Sequence, residues 1–171
     1  SGVEELLSTI ILSAISEHTP SDIAFYILDF GAEIMKKFAK FPQVGEVVFQ
    51  DDIDKVAAVL DLVIDEVDRR KELLSDYNGS FEYYNSTQEE KLPLIVTVIN
   101  SFDIFNETLP KLSDIMNNLF RDAPKYGVIF IVSVSTSNGL RARQLQLFNH
   151  VIVMNFNDDT QYRAITNCRR G

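Results

Sequence analysis

The sequence predicts an α/β domain, a mainly parallel sheet with helices on both faces. Three observations predict it. Apolar residues at helical spacing alternate with short, nearly continuous apolar runs. The two most apolar runs, residues 92–99 (LPLIVTVI) and 128–134 (VIFIVSV), have the composition of strands buried on both faces. Helical periods fall between the strand runs, as parallel crossovers require, so functional loops are expected at the carboxyl ends of the strands.

The elements follow in order. Leu6, Leu7, Ile10, Ile11, Ala14 and Ile15 recur at helical spacing and stop before Thr19-Pro20, where proline disfavours further helix. Residues 23–30 (IAFYILDF) read as a buried strand, and a short helix is expected over about 32–39. Residues 44–49 read as the next strand. Asp51 or Asp52 can cap a long helix whose apolar stripe is Ile53, Val56, Ala57, Leu60, Val63, Ile64 and Val67, with its charges on the other face. That helix should fade near Tyr77-Asn78-Gly79, because Asn-Gly is a strong turn signal. Residues 78–91 (NGSFEYYNSTQEEK) form the one long polar interruption and are expected as a surface loop. Beyond the 92–99 strand come a helix over 112–120, the 128–134 strand, a helix around 140–148, a strand over 151–155 and a short polar helix from Asp158-Asp159.

Composition bounds the function classes. With 171 residues, 46% of them hydrophobic, the chain can bury the core of one domain without disulfide or metal staples, and residues 1–171 are read as a single domain. Cys168 is the only cysteine, which excludes an internal disulfide and suits a reduced, cytosolic setting. A formal charge of −9 argues against a surface built to hold phosphate backbones, so no nucleic-acid partner is expected. No run approaches the roughly 20 apolar residues that span a bilayer, so no membrane insertion is expected of this stretch.

Several side chains attract a functional reading beside a structural one. Asp29, at the end of a strand, is expected to cap the following turn. His18 and His150 lie apart, with no acid or cysteine motif nearby. Phe81, Tyr83 and Tyr84 put an aromatic cluster in a polar stretch, which suits a partner contact or packing over the domain's own core. Arg141 and Arg143 could face a neighbouring domain, or simply be solvated.

The order SGxxxLLSTII, YILDFG, a long helix ending DEVDRRKELL, LPLIVTVIN, GVIFIVSVS and HVIVMNFND-x-x-x-YR covers nearly the whole chain. It resembles the FtsK/SpoIIIE-type RecA-like ATPase domains of the EssC/YukB type VII secretion family. The resemblance implies a RecA-like P-loop NTPase fold, within a membrane-anchored motor of several tandem domains whose C-terminal members are often degenerate. It implies a cytoplasmic location at the inner face of the cell membrane through the parent protein. The partners it implies are neighbouring ATPase domains and secreted protein substrates.

Position by position, the resemblance also implies a nucleotide site whose key groups are replaced. A working phosphate loop needs glycine amides, a lysine on the β and γ phosphates, and a hydroxyl on magnesium. Here Gly2 is followed by Val3 in the lysine's place and Glu4 in the hydroxyl's, and a carboxylate there repels phosphate. At the end of the 92–99 strand, Asn100 and Ser101 stand where the family pattern places a magnesium-ordering aspartate and a water-polarising glutamate. Ser133, Val134 and Ser135 form an undistinguished tract where related motors carry a phosphate-sensing residue, with Ser135 taken as the matching position. No catalytic residue, cofactor or metal is therefore expected, and the function implied is a degenerate ATPase domain acting as a docking or regulatory module. The alternative is an active ATPase, using ATP and magnesium, whose phosphate-loop residues lie upstream or on another subunit. The strand that leads into such a loop is not among the segments read here. A central slot of the sheet is therefore expected to be filled by other residues or by an upstream segment of a longer protein.

Overall fold

The computed structural model describes residues 2–136 and 139–154. Four parallel strands lie in the order β2-β1-β3-β4: β1 (Ile23–Asp29), β2 (Val44–Phe49), β3 (Leu94–Asn100) and β4 (Val128–Val132). β3 is central and buried along all but its first residue, which explains its nearly unbroken apolar sequence. The register pairs Phe25 with Val96 and Val96 with Ile129, so side chains of one parity share a face across the sheet.

On one face, α1 (Gly2–Glu17) places Leu7 and Ile11 against Phe25, Ile27, Val96 and Val98. The expected 32–39 helix is a 3-10 helix, Ile34–Lys40, whose Met35 and Phe38 enter the same cluster. The Asp29 carboxylate takes the Met35 N–H at 3.0 Å, and Glu33 turns left-handed at φ 57, so the segment starts too tightly for an α-helical entry.

On the other face lie α2 (Ile53–Leu73), α4 (Phe102–Thr108) and α5 (Ser113–Asp122). Asp52 caps α2 by accepting from the Lys55 N–H at 3.1 Å, and Val56, Leu60, Val63 and Val67 are buried as the stripe predicts. The helix then tightens into a 3-10 turn, Leu74–Tyr77, and stops at left-handed Asn78 and Gly79. α4 was not expected. Its seven residues offer Phe102 and Phe105 as the buried apolar pair, too short a period to stand out in sequence.

Three other expectations are corrected. The 78–91 stretch contains α3 (Phe81–Thr87), started by the Ser80 hydroxyl accepting from the Tyr83 N–H at 3.2 Å. The 140–148 helix shrinks to α6 (Ala142–Leu145). Residues 151–154 lie outside the sheet, and Ile152 is among the exposed hydrophobics. Asn155, the polar helix at Asp158-Asp159 and Cys168 lie outside the described residues. Among the described residues the four strands are contiguous, so no slot stands empty between them, and β2 and β4 form the two edges of the sheet.

Candidate functional site

The carboxyl ends of β1, β3 and β4 converge with the first turn of α1, and each contributes one polar side chain. Asp29 is the last residue of β1 and is 1% exposed; Asn100 is the last of β3 and equally buried; Ser133 follows β4 and is also buried. Strand pairing sets Asp29 directly beside Asn100.

The hydrogen bonds form one chain. The Asn100 Nδ2 donates to Asp29 Oδ1 at 2.9 Å and to Glu4 Oε1 at 3.1 Å. The Ser133 hydroxyl donates to Asn100 Oδ1 at 2.8 Å and accepts the Ser101 N–H at 2.9 Å. Asp29 also caps the turn beyond β1, as expected, by accepting the Gly31 N–H at 3.0 Å and the Met35 N–H at 3.0 Å. An asparagine amide thus holds two carboxylates, one from the sheet and one from α1, with both its protons committed.

Gly31 makes this closeness possible. A Cβ at that position would lie 2.5 Å from Asn100 Nδ2 and 2.8 Å from Glu4 Oε1, so any other residue would have to displace the bridging groups. Partial burial raises the Glu4 pKa, but causes that lower it, the Asn100 hydrogen bond first and the Ala32 N–H among the rest, leave the carboxyl below the usual glutamate range. Glu4 is therefore an anion at the start of α1, where exposed helix amides and the helix dipole favour negative charge.

The polar groups at this corner are already bonded to one another. The α1 N-terminus would otherwise be free to receive a phosphate group, but it carries its own carboxylate. Val3 offers no cation, and the Asn100 amide presents protons rather than lone pairs toward the Glu4 and Asp29 carboxylates. Ser101 is held left-handed at φ 61, and no carboxylate stands at its position.

The other residues singled out in the sequence separate. Gly2 begins α1 beside Met154. Ser135 turns away from Asn100 and bonds the Asp103 carboxylate through both its hydroxyl and its N–H. Ser133, two residues earlier, completes the chain instead; within an alternation of serine and valine, only the sheet register distinguishes the two. The Phe81 ring packs directly over Gly127 and lies 5.6 Å from the Arg70 guanidinium. Tyr84 meets Tyr77 edge to face with ring centroids 4.8 Å apart, which leaves Tyr83, 47% exposed, as the outward aromatic. Arg141 and Arg143 are both exposed, on and beside α6, as is His150.

Sequence reasoning missed Arg70, which sits at the opposite end of the sheet and is fully buried. Its guanidinium donates to the carbonyls of Pro93 at 2.7 Å, Tyr126 at 3.0 Å and Gly127 at 3.2 Å, and pairs with Glu66 at 2.8 Å. Burial lowers its pKa, with Glu66 opposing. Arg70 follows Val63 and Val67 on the apolar stripe of α2, a signal that its charged neighbours obscured.

Known proteins resemble this chain over most of its length. The profile of the FtsK/SpoIIIE family matches residues 1–153. The ESX secretion system protein EccC of Geobacillus thermodenitrificans is 26% identical over 161 residues, which cover 94% of this chain and 11% of that protein. The chain thus spans about a tenth of the length of that relative. Among solved structures, EssC (ATPases 2 and 3) from Geobacillus thermodenitrificans superposes with a TM-score of 0.87 at 24% identity, over 93% of this chain and 31% of that one. Thermomonospora curvata EccC (ATPases 2 and 3), in complex with a signal sequence peptide, superposes with a TM-score of 0.75 at 22% identity, over 82% and 27% respectively. The fold is that of these ATPase domains.

Proposed function

We propose, from the premise that this chain belongs to the FtsK/SpoIIIE family, that it is a degenerate ATPase domain of a secretion motor, acting as a docking or regulatory module and not as a site of hydrolysis. The observation that carries this reading is the Asn100 bridge between Glu4 and Asp29. The position from which a motor domain would grip phosphate and magnesium is stitched shut by the chain's own side chains. A triphosphate entering there would meet the Glu4 carboxylate with no nearby lysine to offset the repulsion, since Val3 takes that place.

The fold does not need nucleotide to stand, because its two apolar clusters form on either side of the sheet independently of the site. A domain that keeps the motor's shape keeps surfaces on which neighbouring ATPase domains or secreted polypeptides can dock. That the relative of known structure from Thermomonospora curvata was solved with a signal sequence peptide supports polypeptide substrates as partners of the parent protein. We place the domain on the cytoplasmic side of the cell membrane, held there through the parent; among the described residues no helix is long and apolar enough to cross a bilayer.

Isothermal titration with magnesium-ATP tests the reading. The expected result is no saturable binding tighter than about 1 mM, with no phosphate release above the buffer rate. Micromolar binding with turnover by this domain would overturn it in favour of an active ATPase completed from upstream or from another subunit.

A further inference from the structure

The Asn78-Gly79 pair is the joint on which the aromatic segment hangs. α2 ends in the 3-10 turn Leu74–Tyr77, Asn78 turns left-handed at φ 57 and ψ 21, and Gly79 follows at φ 61. The Asn78 and Gly79 N–H groups both donate to the Leu74 carbonyl, the second at 2.8 Å, and the Ser80 N–H donates to the Tyr77 carbonyl at 3.1 Å. Asparagine accepts the left-handed turn more readily than other residues with a side chain, so the pair suits a helix end. α3 begins two residues later, with Phe81 seated on Gly127 and Tyr83 facing outward.

The same pair carries a chemistry of its own. In an Asn-Gly sequence the glycine nitrogen, once it has lost its proton, can attack the asparagine Cγ with no side chain to hinder it. The N–Cγ bond forms and the Cγ–Nδ2 bond breaks. Ammonia leaves, taking up a proton in place of the one the glycine nitrogen gave up. Water then opens the five-membered imide. Cleavage at Cγ gives aspartate, whereas cleavage at the main-chain carbonyl gives isoaspartate, whose backbone runs through Cβ and Cγ and is one carbon longer.

In the folded chain two features oppose the first step. Ring closure needs the Gly79 nitrogen eclipsed with the Asn78 Cβ, but ψ 21 places it nearly over the nitrogen of Asn78 itself. Its proton is also committed to the Leu74 carbonyl. The Asn78 side chain, by contrast, is exposed, and none of the described residues holds its amide. Reaction therefore requires Gly79 to leave Leu74, an opening that pulls on Ser80 and Phe81 directly behind it.

We propose that Asn78 is a site of spontaneous deamidation, gated by opening of the Leu74–Gly79 cap, and that its isoaspartyl product cannot close the cap again. Aspartate tolerates the left-handed turn and restores it. Isoaspartate does not, because the extra carbon displaces the Gly79 N–H from Leu74 and moves Phe81 off its seat on Gly127. The device acts in one direction, releasing α3 and with it Tyr83. It lies at the amino ends of the strands, away from the Glu4–Asn100–Asp29 bridge, and does not depend on how that site is read.

Peptide mapping of the chain aged in neutral buffer measures the rate at Asn78, and an isoaspartate-specific methyltransferase assay identifies the product. The folded chain should deamidate there at least about 10-fold more slowly than the same chain unfolded in urea. Ser80→Ala removes the hydroxyl that caps α3 without touching the reacting pair. It should speed the folded rate roughly 5-fold, the weight of one helix cap, and leave the unfolded rate unchanged. Equal rates in the folded and unfolded chains overturn the gate, and so does a folded rate unmoved by Ser80→Ala. If that variant does not fold, urea below the unfolding transition takes its place. The rate at Asn78 should then climb with urea, and a flat rate is equally fatal. The isoaspartyl form, separated by its added charge, should exchange the Tyr84 and Gln88 amides of α3 faster than the unmodified chain; equal exchange contradicts the one-way release.

Discussion

The two ends of the sheet solve opposite problems with opposite charges. At the amino ends of β3 and β4, a buried guanidinium satisfies three neutral carbonyls, those of Pro93, Tyr126 and Gly127. At the carboxyl ends, a neutral amide satisfies two carboxylates, Glu4 and Asp29. The first cluster is enclosed, and Phe81 seals it by resting on Gly127, whose φ of 73 keeps the turn free of a side chain there. The second lies where functional loops gather in α/β sheets, and its charge is carried by the two carboxylates that the amide holds. A charged side chain and a neutral one can thus do the same structural work; what matters is which backbone or side-chain groups each must satisfy.

Three substitutions break or sharpen this contrast, from the largest expected effect to the smallest. Arg70→Met roughly keeps the volume but removes every donor, leaving the three carbonyls without their partner while Glu66 keeps Arg69. The expected loss is about 3–5 kcal/mol by urea denaturation, and a loss below 1 kcal/mol would show that water replaces the guanidinium. Asn100→Asp takes away the bridging protons and sets a third carboxylate between Glu4 and Asp29, an expected loss of about 2 kcal/mol at neutral pH. Crowding by like charges raises the folded-state pKa of the new carboxyl. The loss should therefore be full above that raised value and should disappear as pH falls below the ordinary aspartate value; a pH-independent loss would contradict the bridge.

Glu4→Gln is the mildest, within about 0.5 kcal/mol at neutral pH because the side chain is only partly buried. Its mark is the acid limb of the stability profile. The wild-type carboxyl titrates lower in the folded chain, so its contribution is present above the ordinary glutamate value and lost as pH falls through the folded one. The glutamine variant should lose less stability over that window, measured by thermal melts across pH. Identical acid limbs would detach Glu4 from the bridge.

Much of the fold was legible because long periods dominate it. The stripe from Val56 to Val67 and the runs that became β1, β2 and β3 lie within two residues of their observed bounds. α3 and α4 stayed hidden because seven residues hold too few apolar positions to show a period, and their starts depend on single contacts such as the Ser80 cap. At the site, the family resemblance singled out Glu4 and Asn100, and Asp29 could be read as a cap. That all three meet on one amide depends on the register between β1 and β3 and on the missing side chain of Gly31, which only three dimensions reveal. Ser133 escaped for the same reason.

One corner of the sheet limits how such a domain can move. β3 ends at Asn100 and α4 begins at Phe102, so a single left-handed residue, Ser101, makes the whole strand-to-helix joint. The Ser101 N–H is tied to the Ser133 hydroxyl and the Phe102 N–H to the Ser133 carbonyl at 2.7 Å, while the Asn100 carbonyl accepts from Phe30 at 3.0 Å. The joint has no slack: it cannot swing without dragging two neighbouring strands. Any displacement of α4 at its root is therefore passed on to β1 and β4 as well as to β3.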